Sequence, residues 1–318
     1  MHGDELARSA QRLRQMLRPE TVGVAAQTAM SWLKPPLTEI ARPSSEFPTL
    51  PAALGRLGTL EVRLAQEKRD VKRAQKLRYR VFYKDGTAIA DAATLFARRD
   101  KDAFDKICDH LLVIDHAAKA SVSGKQPVVG TYRLLRQDVA VNHGGFYTEN
   151  EFDIARMIDR HTNLRFLELG RSCVLPAYRN KRTVELLWHG IWSYVRRHRL
   201  DVMIGCASFE GTDPDRLALP LSFLHHYARA PEPWRASAHP SRRVEMNRMT
   251  KEAIHPKAAL HELPPLIKGY LRLGATIGDG AVIDHQFGTT DVLIVMPVSS
   301  INTRYIEHFG VDASRHAA

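Results

Sequence analysis

Two adjoining stretches of this sequence bring together residue types that can do chemistry. Glu168-Leu169-Gly170-Arg171-Ser172-Cys173-Val174 closes an apolar strand pattern with a carboxylate and a guanidinium three positions apart. Side chains alternate along a strand, so Glu168 and Arg171 face opposite ways unless a bulge intervenes. Gly170, between them, is the residue type that supplies such a bulge. The chain then runs through Leu175-Pro176 into the basic turn around Arg179, Asn180, Lys181 and Arg182, and from there into a strong helix. Backbone N–H groups at a helix N-terminus lack intrahelical partners and hold phosphates. That geometry predicts a phosphorylated ligand at the turn.

Three other segments carry charged groups at the edges of apolar runs: Leu77-Arg78-Tyr79-Arg80-Val81-Phe82, Asp109 to Asp115, and Val129 to Leu135 with Arg133 inside it. Taken singly, each has a plain reading, as a solvated helix face or a turn residue before a strand. From Arg171 to Arg199 there are seven basic residues and one acid, Glu185. His225-His226 and His239 lack any carboxylate–histidine spacing of a known metal motif, so no metal site is expected.

The elements that position these groups read as follows. Leu60 to Leu64 alternates like a half-buried strand, and 65–82 carries Val71, Ala74, Leu77 and Val81 at helical spacing. Strands are expected at 111–114, 127–135, 166–174, 202–206 and 291–298. Helices are expected at 183–198, 213–227 and 265–273, the last stopped by Gly274. This order predicts an α/β domain built on a mixed sheet with helices on its flanks. Residues 1–58 read as an N-terminal arm, with a short amphipathic helix over Glu5 to Leu17 and then five prolines from Pro35 to Pro51. The domain is expected over 59–310, with residues 228–290 as a C-terminal elaboration and 311–318 as a tail.

With 318 residues, 44% apolar and 25% charged, the chain has the makeup of a globular protein, not of a disordered or fibrous one. Its net charge of +11 predicts an acidic partner. Three well-separated cysteines, Cys108, Cys173 and Cys206, form no disulfide framework and point to a reducing cytoplasm. The apolar runs are too short for a membrane span. A peripheral position at the inner membrane stays open.

The strand–turn–helix resembles the cofactor-binding element of the GNAT acyltransferase superfamily. Leu77–Phe82, Asp109–Asp115, the Gly130-x-x-Arg133 strand and the Glu168-x-x-Arg171 strand resemble acyl-homoserine-lactone synthases. Together with Pro265–Ala275 and Gly280–Val298, they resemble more closely the ornithine N-acyltransferases of bacterial ornithine-lipid synthesis. The resemblance implies a GNAT-like fold and transfer of an acyl group, with or without a 3-hydroxyl, to the α-amine of ornithine. It implies Glu168 as proton acceptor and an oxyanion held by backbone N–H groups near Ser172, Cys173 and Val174. Arg78, Arg133 and Arg171 would grip the amino-acid carboxylate, Asp109 the side-chain ammonium, and Phe82, Leu134 and Phe166 would line the acyl slot.

One departure bears on the donor. Coenzyme A-dependent members carry small residues in the phosphate turn, where Arg179-Asn180-Lys181-Arg182-Thr183-Val184 has Arg182 and Val184. Glycine there lets the backbone approach a pyrophosphate. The change favours the single phosphate of an acyl-phosphopantetheine on acyl carrier protein as co-substrate, with no other cofactor. Two rivals remain at this point: an acyl-homoserine-lactone synthase with another amine acceptor, and a basic nucleic-acid-binding protein. The second lacks the aromatic pattern and motifs of such proteins, so no nucleic-acid partner is expected.

Overall fold

The computed structural model describes residues 53–120 and 124–301. The expected Glu5–Leu17 helix, most of the arm and the 311–318 tail lie outside them. Among the described residues, nine strands form one mixed sheet: β1 (Gly55–Leu57), β2 (Leu60–Leu64), β3 (Asp109–Asp115), β4 (Val128–Arg136), β5 (Phe166–Val174), β6 (Val202–Glu210), β7 (Arg243–Val244), β8 (Thr276–Asp284) and β9 (Thr289–Pro297). Their order is β1-β2-β3-β4-β5-β6-β9-β8-β7, antiparallel throughout except for the parallel pair β5–β6. Helix α1 (Lys68–Tyr79) joins β2 to β3. Helix α5 (Lys181–Arg197) makes the crossover from β5 to β6 that a parallel pair requires. The short helices α2 (Ala92–Ala97), α3 (Gln137–Ala140) and α4 (Ala155–Asp159) lie in the connections between them.

The two faces of the sheet are covered differently. Helix α5 buries Leu186, Leu187, Ile191, Tyr194 and Val195 against Val62, Leu111 and Val113. The approach is close at Gly190, where a Cβ would come within 2.8 Å of Val62 and 2.9 Å of Leu111. Helices α6 (Ala218–Tyr227), α7 (Pro256–Glu262) and α8 (Pro265–Leu273) extend the same layer. On the other face, α1 packs Ala74 and Leu77 onto Leu112, Ile114, Val128 and Cys173. A connection from 137 to 165 covers the rest of that face through Phe146, Phe152, Ile154 and Met157.

The expected strands are present, with three additions. β1 pairs with β2, and Leu54 is buried, so among the described residues the sheet extends to the N-terminal side of Thr59. β8 spans Thr276–Asp284 despite Gly278 and Gly280, where the β8–β9 register shifts. β7 adds two residues at the edge. The helix expected from Asp213 starts at Ala218, because Asp213 to Leu217 forms a turn in which the Asp213 carboxylate accepts from Asp215 N.

Candidate active site

The β5–β6 ladder stops after three rungs, the last being Glu168↔Ile204. Beyond it the strands part, and residues 170–174 of β5 keep only β4 as a partner. Gly205 stands at the parting. A Cβ there would lie 2.3 Å from Leu169 O, so only glycine fits. The apolar side chains of Leu169, Met203 and Tyr270 pack beneath it. A strand edge without its neighbour is where backbone N–H groups can meet a developing oxyanion, and Ser172, Cys173 and Val174 occupy that stretch.

The bulge expected between Glu168 and Arg171 is present. Three steps along β5, from Gly170 to Cys173, answer two along β4, from Arg133 to Thr131. The strained residue is Arg171, at φ 49°, while Gly170 keeps an ordinary backbone. The extra residue turns the Arg171 side chain onto the face of Glu168. Its guanidinium sits 5.0 Å from the Tyr147 ring centre and 4.4 Å from that of Phe287.

Glu168 is buried and accepts from Tyr147 N at 3.1 Å, from Thr148 N at 2.7 Å and from the Thr148 hydroxyl. Burial raises its pKa, and these hydrogen bonds oppose the rise. Its carboxylate thus ties the 147–150 turn to β5.

The three arginines expected at a carboxylate fare unequally. Arg78 is 1% exposed, its guanidinium shared between the Asp100 carbonyl and the Asp105 carboxylate at 2.8 Å, with Asp100 Oδ2 2.7 Å from Nε. Arg133 is likewise enclosed, and its Nη1 holds both Asp102 oxygens at 2.6–2.7 Å. Both brace the wall between α1, β4 and the 100–105 turn, which differs from the expected grip on a substrate. Arg171 is held more loosely, 3.4 Å from Asp102 and 3.7 Å from Asp100. It is the arginine of the three that retains an approach for a ligand.

Asp109 departs from expectation most. It pairs with Leu134 and shares the face of Leu111 and Val113, so its carboxylate meets Tyr194 of α5 and lies 3.6 Å from Arg136. Strand alternation puts it across the sheet from Glu168. Phe82 lies in the single π-helical turn Arg80–Lys84 that ends α1, its ring edge-on to Phe287 at 5.6 Å. At the phosphate turn, Asn180 is the N-cap of α5 and accepts from Thr183 N at 3.2 Å, so Asn180 does at Thr183 what a phosphate would otherwise do. Arg179 and Arg182 are exposed, and Lys181 lies 3.5 Å from Glu185.

Sequence reasoning missed a second charged group on the face of Glu168. Glu151, Asp284 and Asp291 place carboxylate oxygens within 4.8 Å of one another, a spacing that one cation can bridge. Cys206 donates its thiol proton to Glu151 at 3.3 Å. Burial pushes the Glu151 carboxyl up to about 7, and the neighbouring Asp291 adds to the rise. These residues are far apart in the sequence and form no motif; the acidic residues within the β8 and β9 patterns were the available signal. His226 and His239 bind backbone carbonyls of Met249 and Glu149 through Nε2, so both act as structural ties.

Residues 77–189 match the acetyltransferase (GNAT) domain family. The chain is 54% identical over 261 residues to the L-ornithine N(alpha)-acyltransferase of Agrobacterium fabrum, covering 82% of this chain and 88% of that protein. It is 55% identical over 262 residues to the enzyme of the same name from Brucella abortus, covering 82% and 92%. Against that of Rhizobium meliloti it is 50% identical over 279 residues, covering 88% and 92%. Among the described residues, no helix is long and apolar enough to cross a membrane.

Proposed function

The chain belongs to the L-ornithine N(alpha)-acyltransferases, and on that footing we propose that its donor is a 3-hydroxyacyl group on the phosphopantetheine of acyl carrier protein. The protein is an acyltransferase that forms an amide on the α-amine of ornithine, giving lyso-ornithine lipid. The observation that carries the chemistry is the end of the β5–β6 ladder at Glu168↔Ile204. It parts the two strands, so that a thioester arm can run between them with the β5 edge at 172–174 for the oxyanion.

An ammonium cannot attack, so the acceptor must first lose a proton. Glu168, at the last rung, takes it through water; the amine then adds to the thioester carbonyl. Collapse expels the thiolate, which receives a proton as the amide forms. Ornithine carries one carboxylate and a second ammonium. Arg171 suits the first, and the carboxylates of Glu151, Asp284 and Asp291 on the same face suit the second. The exposed Arg179 and Arg182, with Lys181, suit an acidic carrier at the start of α5. We place the protein peripherally at the membrane that receives its product.

The test is an assay of purified protein with ornithine and either 3-hydroxyacyl carrier protein or acetyl coenzyme A. Amide and free thiol are expected with the carrier. Equal or faster turnover with acetyl coenzyme A would overturn the donor assignment.

A further inference from the structure

The outer side of α1 carries an unusual pattern. Lys68, Lys72, Lys76, Arg80 and Lys84 recur at every fourth position through the helix and its π-helical turn, and all five are exposed. The acid of α1, Asp70, is buried and held by Arg63 and Arg73, so it does not offset the stripe, and Asp85, 3.7 Å from Arg80, offsets that one charge of the five. Directly after the stripe the chain exposes apolar side chains. Ile89 is 71% exposed, Leu95 55% and Phe96 94%. Among the described residues, Val141 is the remaining large exposed apolar side chain, and it lies elsewhere.

This apolar tip is built, not frayed. Asp91 caps α2 by accepting from Thr94 N at 2.7 Å, and Arg98 ends it in the left-handed conformation. Ile89 N bonds Gln286 O at 2.7 Å, and the Thr87 hydroxyl bonds Phe287 O at 2.9 Å. The tip is therefore fastened to the strand connection whose Phe287 ring packs on Arg171. A fixed backbone that presents Phe96 to water maintains a hydrophobic cost which an isolated domain has no reason to bear.

We propose that the α1 stripe and the 89–96 tip together form the surface by which the protein lies on an anionic bilayer. A basic helix face with adjoining apolar residues matches both parts of such a bilayer, the anionic headgroups and the acyl boundary. An acidic protein matches the stripe as well, but it covers Ile89, Leu95 and Phe96 only if it carries an apolar patch beside its acids, whereas an anionic bilayer supplies both everywhere on its surface. The Arg179–Arg182 turn is a separate basic region at the start of α5, on the other side of the sheet. The inference rests on the reading of the product as an acylated amino acid, which partitions into a bilayer, and gives it an exit beside the site.

Flotation of the full chain with vesicles tests it. Binding is expected to vesicles containing phosphatidylglycerol and not to pure phosphatidylcholine, and it should fall with salt. The double variant Leu95→Asp/Phe96→Asp should bind about tenfold more weakly or worse. Lys72→Glu/Lys76→Glu should lose about fivefold for each lysine charge removed. Both variants should form amide from soluble substrates at the parent rate without vesicles. Failure of the parent to bind anionic vesicles would overturn the proposal, and so would variants that bind as the parent does. Loss of carrier-dependent turnover in vesicle-free assays would overturn it too, by assigning the surface to the carrier protein. Absence of amide formation by the parent would instead count against the acyl-transfer reading, which the flotation result does not touch.

Discussion

Two buried charged clusters share one face of the sheet, and they are balanced differently. In the first, Arg78, Arg133 and Arg171 interleave with Asp100, Asp102 and Asp105. In the second, Glu151, Asp284 and Asp291 face one another, with Arg242 3.8 Å from Glu151. Burial raises the pKa of a carboxyl in both places, and the difference is what opposes it. Arg133 and Arg171 hold the Asp102 carboxyl below its usual range despite burial. In the second cluster the acid neighbours add to burial, and Glu151 rises to about 7. A neutralised cluster stiffens a wall; one with three carboxyls and a single arginine at its margin keeps a demand for positive charge. An acceptor with two ammonium groups can meet that demand.

The largest way to break the balanced cluster is to remove its most enclosed member. Arg78→Met removes the guanidinium that binds both Asp100 and Asp105, leaves them only the longer guanidinium approaches of Arg171 at 3.7 Å and Arg133 at 3.6 Å, and should cost about 3 kcal/mol of unfolding free energy in urea. Near-parent stability would show that Asp100 and Asp105 find other partners.

Glu168→Gln should lower kcat by about a hundredfold, the scale of a lost proton acceptor, with the fold intact by circular dichroism. Near-normal turnover at neutral pH would restrict Glu168 to tying down the 147–150 turn. Glu151, whose pKa lies at working pH, would then be the carboxyl to test next.

The two clusters should also give stability opposite pH slopes. Asp102 titrates lower in the folded state than unfolded, so its contribution is present above about pH 4 and lost as pH falls further. Glu151 titrates higher when folded, so the folded state keeps its proton and loses stability as pH rises from about 4.5 through about 7. That fall should amount to about 2–3 kcal/mol between pH 5 and 8, and Glu151→Gln should flatten it. Urea melts across that range check this; an unchanged slope in the variant would mean that Glu151 is charged in the fold at no cost.

The smallest effect is expected outside both clusters. Lys181→Glu/Arg182→Glu should raise KM for the acyl carrier protein several-fold and weaken its salt dependence, with kcat falling less. A small pantetheine thioester should be nearly unaffected. An unchanged KM for the carrier would mean that it docks elsewhere.

Much of the frame is legible in the sequence because it rests on local periodicity. Leu111-Leu112-Val113-Ile114 makes a buried strand in almost any context, and Leu187, Ile191 and Val195 define the inner side of α5. β8 escapes such reading because Gly278 and Gly280 interrupt its apolar pattern and accompany its register shift. The start of α6 escapes because a capped turn at Asp213 imitates a helix N-terminus. Within the site, the Glu168–Arg171 pair was readable with its bulge, although the left-handed residue is Arg171. Tyr147, Glu151, Asp284 and Phe287 were not, since nothing local relates residue 147 to residue 287.

By itself, then, the sequence determined the order of the main strands and long helices, the strand–turn–helix around β5 and α5, and a family likeness strong enough to set the reaction class. These depend on neighbours within a few residues or on patterns spread along the chain. Tertiary structure decided which charges are already spent. Arg78, Arg133 and Arg171 look alike in a motif, yet the turn at 100–105 encloses the first two and leaves the third approachable. Asp109 looks available until strand alternation sends it to Tyr194 on the far face. The reason is physical: a charged group's role depends on what surrounds it within about 4 Å, and those partners come from chain segments brought together only by folding.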